Sequence, residues 1–147
     1  MEMNAMNHNQ EAILILGANG KTGGRIAQRL EAAGLPVRRG SRAAIPAFDW
    51  EDRSTCDAAL DGVHAVYISY QPDLAVPGAL ETVQAFTDLA VRNGVRKLVL
   101  LSGRGEHEAE QAERVVQNSG VDWTILRASW FCQNFSEAHF LEPILEG

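Results

Sequence analysis

"ILILGANGKTGGRI", Ile13 to Ile26, joins an apolar run to a glycine-rich turn and then to a helical pattern. The Gly-Lys-Thr at its centre matches the tail of an ATPase phosphate loop, G-x-x-x-x-G-K-[ST]. The glycine that opens such a loop would fall at Ile15, inside the apolar run. The long loop that wraps a triphosphate is therefore missing, and the ATPase reading fails. What remains is Gly17-x-x-Gly20-x-x-Gly23. In a dinucleotide site the first glycine turns the chain off the strand, the second keeps bulk away from the pyrophosphate, and the third lets the helix lie close to the sheet. The helix start then offers unpaired N–H groups and a positive dipole end to phosphates.

The flanking sequence supports that placement. "AILIL" (Ala12 to Leu16) is a continuous apolar run, as in a strand covered on both faces. Gly23 to Ala33 puts Ile26, Ala27, Leu30 and Ala33 on one helical face, with Gly34 as C-cap. "LPVRRGS" predicts a second strand and "AIPAFDW" a weaker third. A capping-box-like start places Ser54 three residues before Asp57, opening a helix to Leu60. "GVHAVYIS", "RKLVLLS" and "VDWTILRAS" supply three more strands. They are separated by helices, one through Leu80, Val83, Phe86, Leu89 and Ala90, the other over 106–119. Strand and helix in steady alternation predict an α/β fold, a doubly wound parallel sheet with helices on both faces. About six strands suit the order 3-2-1-4-5-6 of a Rossmann fold, whose ligand lies at the carboxyl ends of the strands. That crevice would collect Gly17 to Gly23, Ser69-Tyr70 and Ser102-Gly103.

Composition bounds the reading. The chain has 147 residues, enough for one domain with a real core. A formal charge of −6 argues against nucleic acid or an anionic membrane as partner, since both call for clustered Lys and Arg. No run approaches the roughly 18 apolar residues of a membrane span. Residues 1–11 are expected to form a flexible leader and 12–147 the nucleotide-binding domain. Cys56 and Cys132 lie far apart without C-x-x-C spacing, so a reduced, cytoplasmic protein is expected. His8, His64, His107 and His139 show no metal-ligand spacing, and no metal is expected.

"GANGKTGG", "FDWED", "NGVRKLVLLSG" and "SGVDWTILRASWFCQNF" together resemble the NmrA-like, atypical short-chain dehydrogenase/reductase family. The GKT variant of the loop is similar to the ergot-alkaloid reductase subgroup of the agroclavine dehydrogenase type. The resemblance runs from Ala12 to Phe135. It implies that Gly17, Asn19, Gly20, Lys21, Thr22 and Gly23 form the pyrophosphate loop. It also implies that Arg42, beside Ser41, contacts the adenosine ribose phosphate, and that Asp49, beside Trp50, lies near the adenine. Ser69, Tyr70 and Ser102 would approach the nicotinamide side. Relatives continue into a smaller substrate-binding lobe beyond the position of Gly147, so the chain is expected to lack that lobe. Apolar residues of "SWFCQNF" and "HFLEPILEG" would then be exposed and favour homo-oligomers.

The residues refine this picture. No acid occurs between Gly34 and Phe48, where NAD-selective proteins carry one for the ribose hydroxyls. Arg38, Arg39 and Arg42 instead favour a 2′-phosphate, hence NADP(H), with NAD(H) the lesser partner. Ser102 either hydrogen-bonds substrate or cofactor, or simply turns the chain with Gly103. Trp130, Phe131 and Phe135 either line a nicotinamide pocket or pack against the absent lobe. The Tyr-x-x-x-Lys pair of ordinary superfamily members is missing: Gln71 and Leu74 stand four residues after Tyr67 and Tyr70. No catalytic residue is assigned. Two functions fit: an NADPH-dependent reductase for an electron-poor small molecule (an iminium or a quinone), and a non-catalytic NADP(H)-sensing regulator of NmrA type.

Overall fold

The computed structural model describes residues 11–129, together with Phe131, Leu145 and Glu146. Among these residues, five strands form one fully parallel sheet: β1 (Ala12–Leu16), β2 (Val37–Gly40), β3 (Val63–Ile68), β4 (Lys97–Gly103) and β5 (Asp122–Ala128). Their order across the sheet is β2-β1-β3-β4-β5. The helices between them are α1 (Lys21–Ala32), α2 (Cys56–Leu60), α3 (Ala79–Arg92) and α4 (His107–Gln117). This is the doubly wound α/β fold that the alternation predicts.

Side chains alternate across a strand, so each strand feeds two cores. Leu14, Leu16, Val66, Ile68, Leu98 and Leu100 join Val83, Phe86, Ala112 and Val116 in the larger one, under α3 and α4. Ile15 and Tyr67 join Ala18 and Ala27 in the smaller one, under α1. Both faces are thus covered, which is why β1 reads as an unbroken apolar run rather than an alternating one.

The weak third strand is corrected. Residues 44–50 form no strand; Asp49 and Asp52 make only an isolated antiparallel bridge. The segment turns back over the end of β2, where the N–H groups of Ala44 and Phe48 both donate to the Ser41 carbonyl. Phe48 then drops into the larger core, against Trp50 and Phe86. Burying one aromatic ring in this way outweighs a short edge strand that Pro46 would interrupt. With that strand removed, the expected order and the observed one coincide.

Helix ends shift by small amounts. α1 starts two residues earlier than its apolar face suggests, at Lys21, and Gly34 lies one residue past the cap, at φ +77°. Asp52, not Ser54, provides the cap before α2: its carboxylate accepts from the Ser54 N–H at 3.0 Å and the Ser54 hydroxyl at 2.6 Å. A 3₁₀ turn over Arg53–Thr55 follows and leads into α2. Among the described residues, no helix is long and apolar enough to cross a membrane. Of the expected leader, Glu11 is described and pairs with Arg96, while residues 1–10 and the aromatic residues Trp130 and Phe135 lie outside the described residues.

Candidate functional site

The chain leaves β1 in one direction across the sheet and returns through β3 in the other, so a crevice opens where the two diverge. Gly17 makes the turn there at φ +64°, a left-handed conformation open to glycine. A Cβ at Gly17 would meet the Ser69 side chain at 3.6 Å, which puts the ends of β1 and β3 side by side. The Gly20 N–H then donates to the Gly17 carbonyl at 2.8 Å and closes the loop. Gly20 is the N-cap of α1 and offers no side chain to its first turn. Those leading N–H groups have no intrahelical acceptor. A Cβ at Gly23 would lie 2.2 Å from the Gly17 carbonyl oxygen and 2.9 Å from that of Leu16. Only glycine lets α1 lie this close to the end of β1.

From this loop a cleft of about 720 Å³ extends across the end of β2. Gly17, Asn19 and Gly20 form one wall, and Gly40, Ser41 and Arg42 the floor. Phe48, Asp49 and Trp50 form the far wall, with Gln71 and Pro72 at the rim. The far wall is tied down from behind. The Asp49 N–H donates to Thr55 Oγ1 at 3.0 Å, and the Asp49 carboxylate accepts from the Glu51 N–H at 3.0 Å. Trp50 Nε1 donates to the Ser69 carbonyl at 3.3 Å, and its ring meets Phe48, Tyr70 and Phe86 with centroids 5.0–5.2 Å apart.

Three arginines were candidates for a phosphate, and the structure separates them. Arg38 donates to the carbonyls of Ala59 and Asp61, at 2.8 and 2.5 Å. Arg39 makes a two-pronged pair with the Glu31 carboxylate, at 2.9 and 2.8 Å. That pair holds the Glu31 carboxyl below its ordinary value. Arg42 lines the cleft and has no hydrogen bond or ion pair to any other described residue.

Of the expected contact residues, Gly17, Asn19, Gly20, Ser41, Arg42, Asp49 and Trp50 line one cleft. Lys21, Thr22 and Gly23 continue the loop into α1. Thr22 Oγ1 accepts from the Tyr67 hydroxyl at 2.9 Å. Ser69 is buried behind Gly17, and Tyr70 packs on Trp50. Ser102 is elsewhere. It shares a strand face with Leu98 and Leu100, beneath α4, and is 3 % exposed. Its hydroxyl donates to Glu113 Oε1 at 2.6 Å, and Arg127 grips the same carboxylate at 2.8 and 3.0 Å. Arg127 holds the Glu113 carboxyl below its ordinary value despite burial, with help from Ser102. Ser102 thus links β4 to α4, and through Glu113 to Arg127 of β5, and does not line this cleft.

Sequence reading missed Gly40, Ala43, Phe48, Glu51, Gln71 and Pro72 as lining residues. Gly40 carried a signal: a Cβ there would meet Leu16 Cδ2 at 2.8 Å and the Ile15 carbonyl at 3.1 Å. A glycine closing a strand often marks such close approach. Tyr67, Glu113 and Arg127 carried none, because their partners are distant in the chain. Among the described residues no group of His, Cys, Asp and Glu could hold a metal.

The model of a family described as NAD(P)H-binding matches residues 17–140. Agroclavine dehydrogenase of Claviceps fusiformis is 36 % identical over 144 residues, covering 84 % of this chain and 48 % of that protein. Festuclavine synthase I of Penicillium roqueforti is 32 % identical over 146 residues, covering 85 % and 50 %. The chain thus spans about half the length of the curated relatives it matches. The crystal structure of the Citrobacter sp. triphenylmethane reductase complexed with NADP(H) shares the fold, with TM-score 0.69 and 18 % identity over 84 % of this chain and 51 % of that one. These relatives agree with the NmrA-like, ergot-alkaloid reductase resemblance of the sequence.

Proposed function

Because the chain belongs to the NAD(P)H-binding family, we propose that it is the cofactor-binding part of a reductase that prefers NADPH and serves an electron-poor small molecule. The observation that carries the preference is Arg42, a cleft arginine at the end of β2 with no partner among the described residues. The guanidinium suits a phosphate monoester, which it can meet with paired N–H donors. Gly40 strengthens the case. Strand β2 ends there, and the close approach of Leu16 and Ile15 crowds any side chain at that point, an acidic one included.

The glycine loop fits a dinucleotide, since the space that side chains at Gly20 and Gly23 would fill is occupied by the loop's own backbone or left open to the cleft. A bound nicotinamide dinucleotide supplies the hydride chemistry. The protein supplies position: N–H groups of the first turn of α1 for the pyrophosphate, Arg42 for the 2′-phosphate, and the Asp49–Trp50 wall for the adenine end. Neither tyrosine has a lysine four residues after it in the sequence. Tyr67 is spent on Thr22, and Tyr70 packs on Trp50. A general acid contributes about 10²–10⁴-fold where the acceptor needs a proton. An iminium or a quinone accepts hydride with little such help. The resemblance to ergot-alkaloid reductases supports the iminium.

The test is a pair of calorimetric titrations followed by turnover. The chain should bind NADPH more tightly than NADH, then lose NADPH absorbance with cyclic iminium ions or quinones. Tight NADPH binding without turnover on either acceptor class favours the NADP(H)-sensing alternative. Equal affinity for both cofactors removes the NADPH preference.

A further inference from the structure

The start of α1 has no side-chain cap, and neither do the starts of α2, α3 and α4. A side chain at the N-cap can fix a helix's first turn, but Gly20 has none to offer. That leaves the leading N–H groups free for an anion, and it also leaves the turn without its ordinary anchor. Two of the contacts that tie the turn to the sheet bear directly on its position. One is the close approach of Gly23 to the Gly17 carbonyl, which limits how near the helix comes but does not hold it there. The other is attractive and directional: the Tyr67 hydroxyl donates to Thr22 Oγ1 at 2.9 Å.

Tyr67 is well placed for that task. It stands on β3 opposite Ile15 of β1, in the middle of the sheet, and is 4 % exposed. Its ring shares the smaller core with Ile15 from β1, Ala18 from the glycine loop and Ala27 from α1. The same residue thus packs with all three parts of the strand–loop–helix unit and bonds to the helix's first turn. Burial pushes the phenol above its ordinary value, so it stays protonated and able to donate. Without Thr22 this hydroxyl would be left in apolar surroundings, so the pair fixes one geometry rather than several.

We propose that Tyr67 is a positioning residue of the dinucleotide site, holding the first turn of α1 through Thr22 at the place where its N–H groups meet the pyrophosphate. The inference rests on the glycine loop being that site. It gives a role to a tyrosine that stands outside any Tyr-x-x-x-Lys pair and outside the cleft lining.

The test uses the 147-residue chain with two probes, NADPH and 2′-AMP, which keeps the 2′-phosphate and adenine but has no pyrophosphate. Tyr67→Phe and Thr22→Val should each weaken NADPH about three- to tenfold, the scale of one neutral hydrogen bond. The double variant should be no worse than the weaker single one, because both remove the same bond. Thr22→Ser keeps the acceptor and should recover most of the affinity that Thr22→Val loses. Affinity for 2′-AMP should be unchanged throughout. NADPH binding by Tyr67→Phe within about twofold of the wild type would overturn the proposal, as would parallel losses for both probes, which mark general loosening of the fold. Should Tyr67→Phe fail to fold, Thr22→Val against Thr22→Ser decides alone, since the ring stays in place. A wild type that binds neither probe overturns the dinucleotide reading and this inference with it. A wild type that binds both, beside an unaltered Tyr67→Phe, overturns the positioning role only.

Discussion

The two ends of the cleft are built from different materials. At the β1–α1 end the backbone forms the site: a left-handed turn at Gly17, a closed loop at Gly20 and a helix start packed through Gly23. At the β2 end side chains form it. Arg42, Asp49 and Trp50 stand on a segment without regular structure, held by Thr55, Ser69 and Phe86 from other parts of the chain. A backbone site tolerates almost no side chain, whereas a side-chain site depends on one or two groups. Substitutions should therefore fail differently at the two ends, by lost structure at the first and lost selectivity at the second.

The largest effect belongs to Gly23→Ala. Its methyl would fall 2.2 Å from the Gly17 oxygen and 2.7 Å from the Gly17 carbon, both backbone atoms that no rotamer change can move. Overpacking of this kind costs about 1–3 kcal/mol, and this case belongs at the upper end or beyond. The unfolding midpoint should drop markedly, and binding of NADPH and NADH should be lost together. Intact NADH binding would show that the loop is not the shared half of the site.

Arg42→Ala comes next. A hydrogen bond to a charged group is worth roughly 1.5–3 kcal/mol, about ten- to one-hundred-fold in affinity. NADPH should weaken by that factor while NADH and the unfolding midpoint hardly change. Equal losses for the two cofactors would make Arg42 a support for the adenine wall instead.

The same contrast explains what could be read from the sequence. Backbone demands leave glycines at fixed spacing, so Gly17, Gly20 and Gly23 were legible, as were strands with unbroken apolar runs such as Ala12 to Leu16. The alternation of elements gave the sheet order as well. The segment 44–50 was misread because its apolar residues serve a buried ring at Phe48 rather than a ladder. Ser102 carries two readings in the sequence because a serine at a strand's carboxyl end looks the same whichever face it takes. Its buried partner, Glu113, is 11 positions away and 2 % exposed, a pairing that only the packing of α4 reveals.

Glu113→Gln sharpens the comparison from outside the cleft. Gln keeps the shape but loses the charge that Arg127 and Ser102 satisfy, at a cost of about 1–2 kcal/mol. The carboxyl is held below its ordinary value in the folded chain, chiefly by Arg127. Its contribution is therefore present above the ordinary carboxylate range and fades as pH falls through the lowered value. Wild type and variant should differ in thermal midpoint at pH 7 and converge in acid. NADPH affinity should be the same in both, because the cluster does not line the cleft. A selective loss of NADPH binding would return Ser102 and its neighbours to the site.

Arg39→Ala should do least, and its smallness is informative. Arg39 lies three residues before Arg42 on a stretch where any arginine could read a 2′-phosphate by sequence alone. Alternation along β2 separates Arg38 from Arg39, and each finds its own acceptor: Arg38 the carbonyls at the end of α2, Arg39 the Glu31 carboxylate near the end of α1. The Arg39 pair is exposed at both partners, so water and salt weaken it and little stability depends on it. What remains is a long-range charge effect on a dianionic phosphate, largely screened beyond the Debye length of about 8 Å at physiological salt. NADPH affinity should therefore change by no more than about twofold at that ionic strength, and the remainder should vanish as salt is raised. Titrations of Arg38→Ala, Arg39→Ala and Arg42→Ala with NADPH and NADH, at two salt concentrations, separate the three residues. Should Arg39→Ala lose NADPH selectively by tenfold and keep that loss at high salt, the Glu31 pair must open on binding, and the reader of the phosphate would be Arg39 rather than Arg42.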